Sequence, residues 1–287
     1  MKRNKINALG LIGLAMILMV SCQKNDRNDD KFGTLRISLT DATFPIEYID
    51  EANVTITKIE IRKKDDHDGF AYEDNNGYPF MILLEDTLEY NLLELRNGVM
   101  AELVELGIPV GSYDLLRLYV AEASIVVKDN GTYDMKVPSG AQTGIKIFIK
   151  PVITVQGGLT TDLLLDFNLE KSFVLKGNVN TPAGIHGFNF KPVIRAVNNS
   201  TAGTVHGMVS DTGSVALKDA SVRIMAADTT LATAFSDTTG FYALPGIPEG
   251  SYPIFATKEN YDTVQADIEV KAANLTVKDF VLTPKGE

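Results

Sequence analysis

Residues 34–197 alternate apolar and polar side chains with a period of two, over and over, and that pattern suits strands with one buried face and one wet face. Leu35, Ile37 and Leu39 stand against Arg36, Ser38 and Thr40. Ile145, Ile147 and Ile149 stand against Lys146, Phe148 and Lys150. Leu163, Leu165, Phe167 and Leu169 alternate with Asp162, Leu164, Asp166, Asn168 and Glu170. One-sided strands must stack their apolar faces together, so the expected fold is all-β and built of β-sandwiches. Val54 and Ile56 hand over to Ile59 and Ile61 with a change of phase, which predicts a bulge near Lys58. Asp129-Asn130-Gly131 and Gly157-Gly158 supply turns between the runs. The one helix expected is a short segment at 99–106.

Asn198-Asn199-Ser200-Thr201-Ala202-Gly203 interrupts the apolar pattern, and a second alternating region begins at Val205, Gly207 and Val209. A domain boundary is expected there, giving two β-sandwich domains in tandem at 33–198 and 204–287. A corner is repeated between them: Gly107-Ile108-Pro109-Val110-Gly111-Ser112-Tyr113 returns as Gly246-Ile247-Pro248-Glu249-Gly250-Ser251-Tyr252. Proline fixes one dihedral, glycine permits a positive φ, and the tyrosine can lay its ring over the sandwich edge. A shared turn device and common ancestry explain the repeat equally well.

The amino terminus reads as an export signal. Lys2, Arg3 and Lys5 precede an apolar run at 8–20, then Ser21 and Cys22. A helix of that length covers about 20 Å, short of the roughly 20 residues needed to cross a bilayer, so residues 1–21 are expected to be cleaved. Leu18-Met19-Val20-Ser21-Cys22 resembles a bacterial lipobox, with Met19 where leucine is usual, and implies acylation of Cys22. Cys22 is the only cysteine, which excludes internal disulfides and thiolate metal clusters. Each buried methylene of a lipid contributes about 0.8 kcal/mol, and stable anchoring needs more than one chain. Residues 23–31 are polar throughout, and 22–32 form the expected tether. Their composition resembles the acidic signal that sends lipoproteins of Bacteroidota-type bacteria to the cell surface; the other reading is a spacer facing the periplasm.

Two family resemblances follow. Gly33 to Leu39 with Thr40-Asp41-Ala42, Tyr90-Asn91-Leu92-Leu93-Glu94-Leu95 with Asn97-Gly98, the Pro109 to Tyr113 corner, Val137-Pro138-Ser139-Gly140 with Gly144-Ile145-Lys146, Leu165-Asp166-Phe167 and Lys191-Pro192-Val193-Ile194 together resemble domain of unknown function 4382 over 33–197. That resemblance implies architecture and location but no mechanism. Gly207-Met208-Val209-Ser210-Asp211, Lys218-Asp219-Ala220-Ser221-Val222, Ser236-Asp237-Thr238-Thr239-Gly240-Phe241-Tyr242, the Pro248 to Tyr252 corner and Asn260-Tyr261 resemble the carboxypeptidase regulatory-like family over 204–284. There the resemblance implies a noncatalytic prealbumin-type sandwich serving as spacer, docking unit or glycan contact.

Loss of three positive charges with the leader takes the net charge from −10 to −13, which argues against nucleic acid as a partner. The expected partners are the membrane, through the lipid, and a neutral glycan or another surface protein.

The acidic loop Asp65-Asp66-His67-Asp68-Gly69 with Glu73-Asp74-Asn75-Asn76-Gly77 invites a calcium reading. It misses the loop template, because Gly69 or Gly77 at position six puts Lys64 or Tyr72 at position one. A solvated hairpin is favoured, with weak calcium binding by Asp66, Asp68, Asp74 and Asn76 as the minority reading. Asp162, Asp166 and Glu170 share a strand face, but neighbours four apart lie about 13 Å from each other. Catalytic carboxylate pairs sit about 5 to 9.5 Å apart, so a wet face is the simpler reading. His67, His186 and His206 form no recognised zinc spacing, and Ser139 lacks a nucleophile elbow.

No cofactor motif is present, and no enzyme activity is expected. With no tryptophan, the ligand-contact candidates are Tyr72, Tyr78 and Phe80, which could instead close the hairpin onto its own sandwich. Asp-Thr pairs at Thr87, Thr229, Thr238 and Thr263 resemble the O-glycosylation signal of Bacteroidota-type bacteria, and such pairs are also ordinary turn formers.

The expected function is a noncatalytic outer-membrane lipoprotein facing the exterior that binds a glycan or a protein. The alternative is a structural or anchor subunit of a surface assembly such as a fimbria; a hydrolase with a dispersed site comes third.

Overall fold

The computed structural model describes residues 31–42, 48–64, 80–137, 140–178 and 181–286. The leader, Cys22 and its tether up to residue 30, the calcium candidates Asp66, Asp68, Asp74 and Asn76, the ring candidates Tyr72 and Tyr78, and Ser139 lie outside the described residues.

The first domain runs through β1 (Phe32–Ala42), β2 (Ile49–Lys63), β3 (Phe80–Asn91), β4 (Ala101–Pro109), β5 (Gly111–Val127) and β6 (Gly131–Met135). After the single-turn α1 (Gly140–Thr143) come β7 (Ile145–Val155), β8 (Thr160–Asn168), α2 (Leu169–Ser172), β9 (Phe173–Gly177), β10 (Ile185–Phe190) and β11 (Ile194–Asn198). A nine-stranded sheet follows the order β3-β2-β5-β7-β11-β8-β1-β4, with β6 also on β5. It curls around one core, as the alternation requires: Leu35, Ile37, Leu39, Ile147, Ile149, Leu163, Leu165 and Phe167 are all at most 2 % exposed. Full burial of each such side chain contributes about 1.5–3 kcal/mol. The β9-β10 ribbon closes one end through Phe167, Phe173 and Phe190, whose ring centroids lie 5.1 to 6.4 Å apart.

The expected change of phase in β2 is present. Its pairing with both β3 and β5 shifts register between Ile56 and Lys58, so Ile56 and Ile59 both face the core.

The helix expected at 99–106 is a strand instead. Ile37 pairs with Val104 and Ser38 with Glu102, leaving Leu103 as the extra residue of a bulge. Leu103 and Val104 are consequently both buried, and two successive inward residues broke the alternation that reveals a strand. Glu170 is likewise not on the face of Asp162 and Asp166. β8 ends at Asn168, whose side chain accepts the Lys171 N–H at 2.9 Å and starts α2 beneath Glu170.

The second domain comprises β12 (Gly203–Asp211), β13 (Ser221–Ala226), β14 (Thr229–Phe235), β15 (Phe241–Ile247), β16 (Gly250–Thr257), β17 (Val264–Val270), β18 (Leu275–Val277) and β19 (Phe280–Leu282). One sheet has the order β15-β12-β18, with β19 also on β12; the other has the order β14-β13-β16-β17. Val205, Val209, Val222, Ile224, Tyr242, Leu244 and Ile254 fill the space between them. Backbone passes close over Gly207, where a β-carbon would collide with the Lys278 carbonyl. The Tyr242 hydroxyl donates to that same carbonyl, and burial raises its pKa.

The repeated corner serves β4–β5 and β15–β16, but in two ways. Tyr113 is fully buried and its hydroxyl donates to the Pro109 carbonyl at 2.7 Å, whereas Tyr252 stays half-buried against Gly250. Gly246 has φ +68°, while Gly107 lies within a strand in open space.

The two domains are docked on each other. The turn after β11 is bonded back to β8: the Asn199 N–H donates to the Asp162 carbonyl and the Asp162 N–H to Ser200 Oγ, each at 2.8 Å. Arg195 donates to Asp166 Oδ2 from Nε (3.2 Å) and Nη2 (2.8 Å), and from Nη1 to the Gly246 carbonyl (3.2 Å). Leu164 and Val197 lie against Gly246, and Ala243 against Gly98; all three side chains are buried yet belong to neither core. The outer face of β8 is therefore part of the domain junction at Leu164, not a wet face.

Candidate functional site: a polar groove on the first domain

The outer face of β3, β2, β5 and β6 is set by register. Asn91, Asn53, Ser124 and Asp134 stand level across the four strands, and Glu89, Thr55 and Glu122 form the next row. Level residues in neighbouring strands share a face and lie within about 5.5 Å. With Glu51, Tyr90 and Met135 they line a groove of about 660 Å³. The inward partners of these strands, among them Val54, Ile56 and Ile125, are core residues, so the groove floor is held rigidly. Asn53 Nδ2 donates to Glu51 at 2.8 Å, and Asn91 Oδ1 accepts from the Ala52 and Leu93 N–H groups at 3.1 and 3.2 Å. Burial raises the Tyr90 pKa.

Several acidic groups elsewhere on these sheets are neutralised. Arg62 pairs with Asp114 at 2.9 Å, Arg195 with Asp166 at 2.8 Å, and Arg36 with Asp162 at 3.2 Å. Buried Glu60 meets Lys58 Nζ at 2.6 Å and accepts the Tyr119 hydroxyl at 2.8 Å. The hydrogen bond to Glu60 raises the Lys58 pKa, while burial first and then Glu60 raise that of Tyr119. No ion pair to Glu51, Glu89, Glu122 or Asp134 is formed among the described residues. The groove thus concentrates negative charge and hydrogen-bond acceptors, and suits a ligand that offers donors.

Of the sequence-derived candidates, Phe80 begins β3 as a buried residue with the Arg117 guanidinium 3.8 Å from its ring centre, a cation–π contact that covers one face. Asp162 and Asp166 each face an arginine and are not brought together as a catalytic pair. His186 is exposed on β10, and His206 lies on β12 edge-on to Phe241 at 5.8 Å. Among the described residues no three His, Cys, Asp or Glu side chains are placed to hold a metal. Thr87, Thr229, Thr238 and Thr263 are all exposed. The groove was missed in the sequence because its residues are spread over four strands; the strand registers reveal it.

One charged turn makes a testable link to pH. Burial opposes ionisation of Asp237, but bonds from the Thr239 hydroxyl and N–H and the Phe241 N–H, with the charge of Arg96, lower its pKa overall. A lowered folded-state pKa adds stability above the unfolded value and loses it as pH falls through the folded one. As pH falls through the folded-state pKa the protein should lose stability from this source, and the Asp237→Asn variant should not lose it. Parallel urea unfolding of both proteins across that fall in pH measures the difference.

A family profile described as "Domain of unknown function (DUF4382)" matches residues 32–192, and one described as "Carboxypeptidase regulatory-like domain" matches 204–283. No curated protein matches the chain. Similar solved structures include the Bacillus anthracis TIE protein, at 13 % identity and TM-score 0.27, with 88 % of this chain aligned. The alignment spans only 34 % of that protein. The shaft pilin SpaA of Lactobacillus rhamnosus GG aligns at 10 % identity and TM-score 0.27, over 90 % of this chain and 98 % of the pilin. The minor pilin GBS52 of Streptococcus agalactiae aligns at 9 % identity and TM-score 0.26, over 88 % and 97 % of the two chains. Overlap at such scores is too loose to carry a functional argument.

Proposed function

The chain belongs to the family of domain of unknown function 4382, with a carboxypeptidase regulatory-like domain behind it, and from that footing we propose a noncatalytic lipoprotein that recognises a ligand through the groove of its first domain. Cys22 carries the lipid, the outer membrane holds it, and the folded domains face the exterior. The observation that carries the reading is the groove itself: four carboxylates without basic partners among the described residues, beside the amide and hydroxyl groups of Asn53, Thr55 and Ser124. Carboxylates accept hydrogen bonds from sugar hydroxyls and ammonium groups alike, so a neutral or amino-bearing glycan fits, and a basic protein segment is the other partner of the same chemistry.

Glycan and peptide arrays probed with the full chain should return binders, and the Glu89→Gln/Glu122→Gln/Asp134→Asn variant should bind them at least about tenfold more weakly. If the ligand is cationic, affinity also falls as salt rises. Equal binding by the variant, or none by the natural chain, refutes the groove as the site.

Intact-mass spectrometry of protein from native envelopes tests the anchor. The expected chain starts at residue 22 with acyl groups attached, and sugar increments on it would assign Thr87, Thr229, Thr238 or Thr263 as O-glycosylated. A chain that retains residues 1–21 removes the anchor from the proposal. Protease shaving of intact cells separates outward display from a periplasmic orientation.

A structural or anchor subunit of a surface assembly such as a fimbria is the second reading. It is favoured by the Arg195 junction, through which one side chain bonds to both domains. Isolation of the native protein without any co-purifying subunit would end it.

A further inference from the structure

The second domain keeps its exposed apolar side chains on one of its two sheets. Among its described residues the exposed large hydrophobics are Met208, Val215, Leu275, Val277 and Val281, from 41 to 64 % exposed. All lie on β12, β18 and β19 or in the turn after β12; the β14-β13-β16-β17 sheet has none. Register joins four of them into one patch. His206 on β12 stands level with Ala243 on β15 and with Val277 on β18, Thr204 with Leu275, Met208 with Phe241, and Ser210 with Val281. Level residues point to one side, so Leu275, Val277, Met208 and Val281 share an outer face centred on the His206–Val277 row.

β18 also inverts the usual pattern of a half-wet strand. Thr276 turns inward and donates to the Glu269 carbonyl at 3.3 Å, while Leu275 and Val277 turn outward. A strand meant for solvent on that side would show the opposite arrangement. The first domain already covers one margin of the face, where Gly98 meets buried Ala243. The open remainder therefore continues an interface the chain itself uses.

We propose that a second copy of this chain packs on the open part of this face, sheet against sheet, about a two-fold axis near Val277. Two copies of a chain with net charge −10 repel over most of their surfaces, and a face of mostly apolar side chains, beside which the Asp279 carboxylate accepts the Met208 N–H at 2.8 Å, is where they can meet. The rim adds complementarity: exposed Lys271 lies beyond the Leu275 end, while Asp211 and Asp279 lie toward the Val281 end. A two-fold axis lying between the two sheets, parallel to them and perpendicular to the strands, turns one copy's basic end onto the other's acidic end. A stable interface buries roughly 800 Å² per partner, and with four exposed apolar side chains at its centre this pair forms weakly in dilute solution and fully only where copies are concentrated.

The test uses the full chain in native envelopes. Val277→Cys adds a thiol at the centre of the face, and Arg223→Cys adds one on the opposite sheet as control. A bifunctional thiol reagent about 10 Å long matches the spacing of stacked sheets. Val277→Cys should yield at least about tenfold more covalent dimer than Arg223→Cys, and adding Leu275→Lys should abolish the excess. In sedimentation at high concentration the detergent-purified natural chain should self-associate. The Leu275→Lys/Val277→Lys variant should do so at least about tenfold more weakly, with thermal unfolding unchanged because both sites are exposed. Equal cross-linking at the two positions, a monomeric natural chain, or an adduct joining Val277→Cys to a different protein would each overturn the proposal. The face and the groove lie in different domains, so the two ideas stand or fall separately.

Discussion

Arg195→Ala is expected to uncouple the two domains, turning one unfolding transition into two. Arg195 binds the first domain at Asp166 and the second at the Gly246 carbonyl. Its side chain is 26 % exposed and that of Asp166 15 %, so the pair is only partly screened by water. Removing one partner of a buried pair costs about 3–5 kcal/mol, mainly because the other charge is left without compensation. With this residual exposure the loss should be about 2 kcal/mol, or roughly 4–8 °C for a chain of this size. Calorimetry of the variant should resolve separate melts for the two domains. Asp166→Asn in the same chain should restore part of the loss, since it removes the orphaned charge. A single transition within about 1 °C of the natural protein would show that Leu164, Val197 and Ala243 suffice to hold the junction.

The Gly207→Ala variant should be damaged more severely, and only in the second domain. The added methyl would occupy the position of the Lys278 carbonyl, which is backbone and cannot rotate away. To make room, the segment joining β18 to β19 must leave β12, breaking the parallel pairing of His206 with Val277 and straining the Tyr242 bond to Lys278. Over-packing of this kind costs about 1–3 kcal/mol where side chains can adapt and more where backbone must move. A loss of about 3 kcal/mol, or about 15 °C in the melt of the second domain, is expected. Hydrogen exchange should show the amides of residues 275–282 unprotected while those of β1 and β8 are unaffected. Unchanged protection at 275–282 would sink the argument.

Strand identity was legible wherever the alternation ran clean, as at Leu35, Ile37 and Leu39, because a period of two leaves no second interpretation. Lys58 shows that even a bulge is readable when apolar residues flank it on both sides. Leu103 and Val104 show the limit: a bulge with two inward neighbours mimics the spacing of a helix. Leu164 was misread for a different reason. Its neighbours Asp162 and Asp166 mark a wet face, and only the docking of Gly246 upon it makes that face dry. Local pattern reports which side of a strand turns from its own core, but not what comes to cover that side. The groove was invisible for a related reason, since Asn53, Glu89, Glu122 and Asp134 become neighbours only once register is known.

β1, the first strand after the amino-terminal residues, sits inside the sheet and not at its edge, paired with β4 over Phe32 to Leu39 and with β8 over Thr34 to Ala42. A pull applied through residues 22–31 would therefore load two ladders along their length, so that many hydrogen bonds bear the force at once instead of opening one by one. An edge strand attached at the same point would peel. The placement of β1 would make the domain resist a force applied from its amino-terminal side.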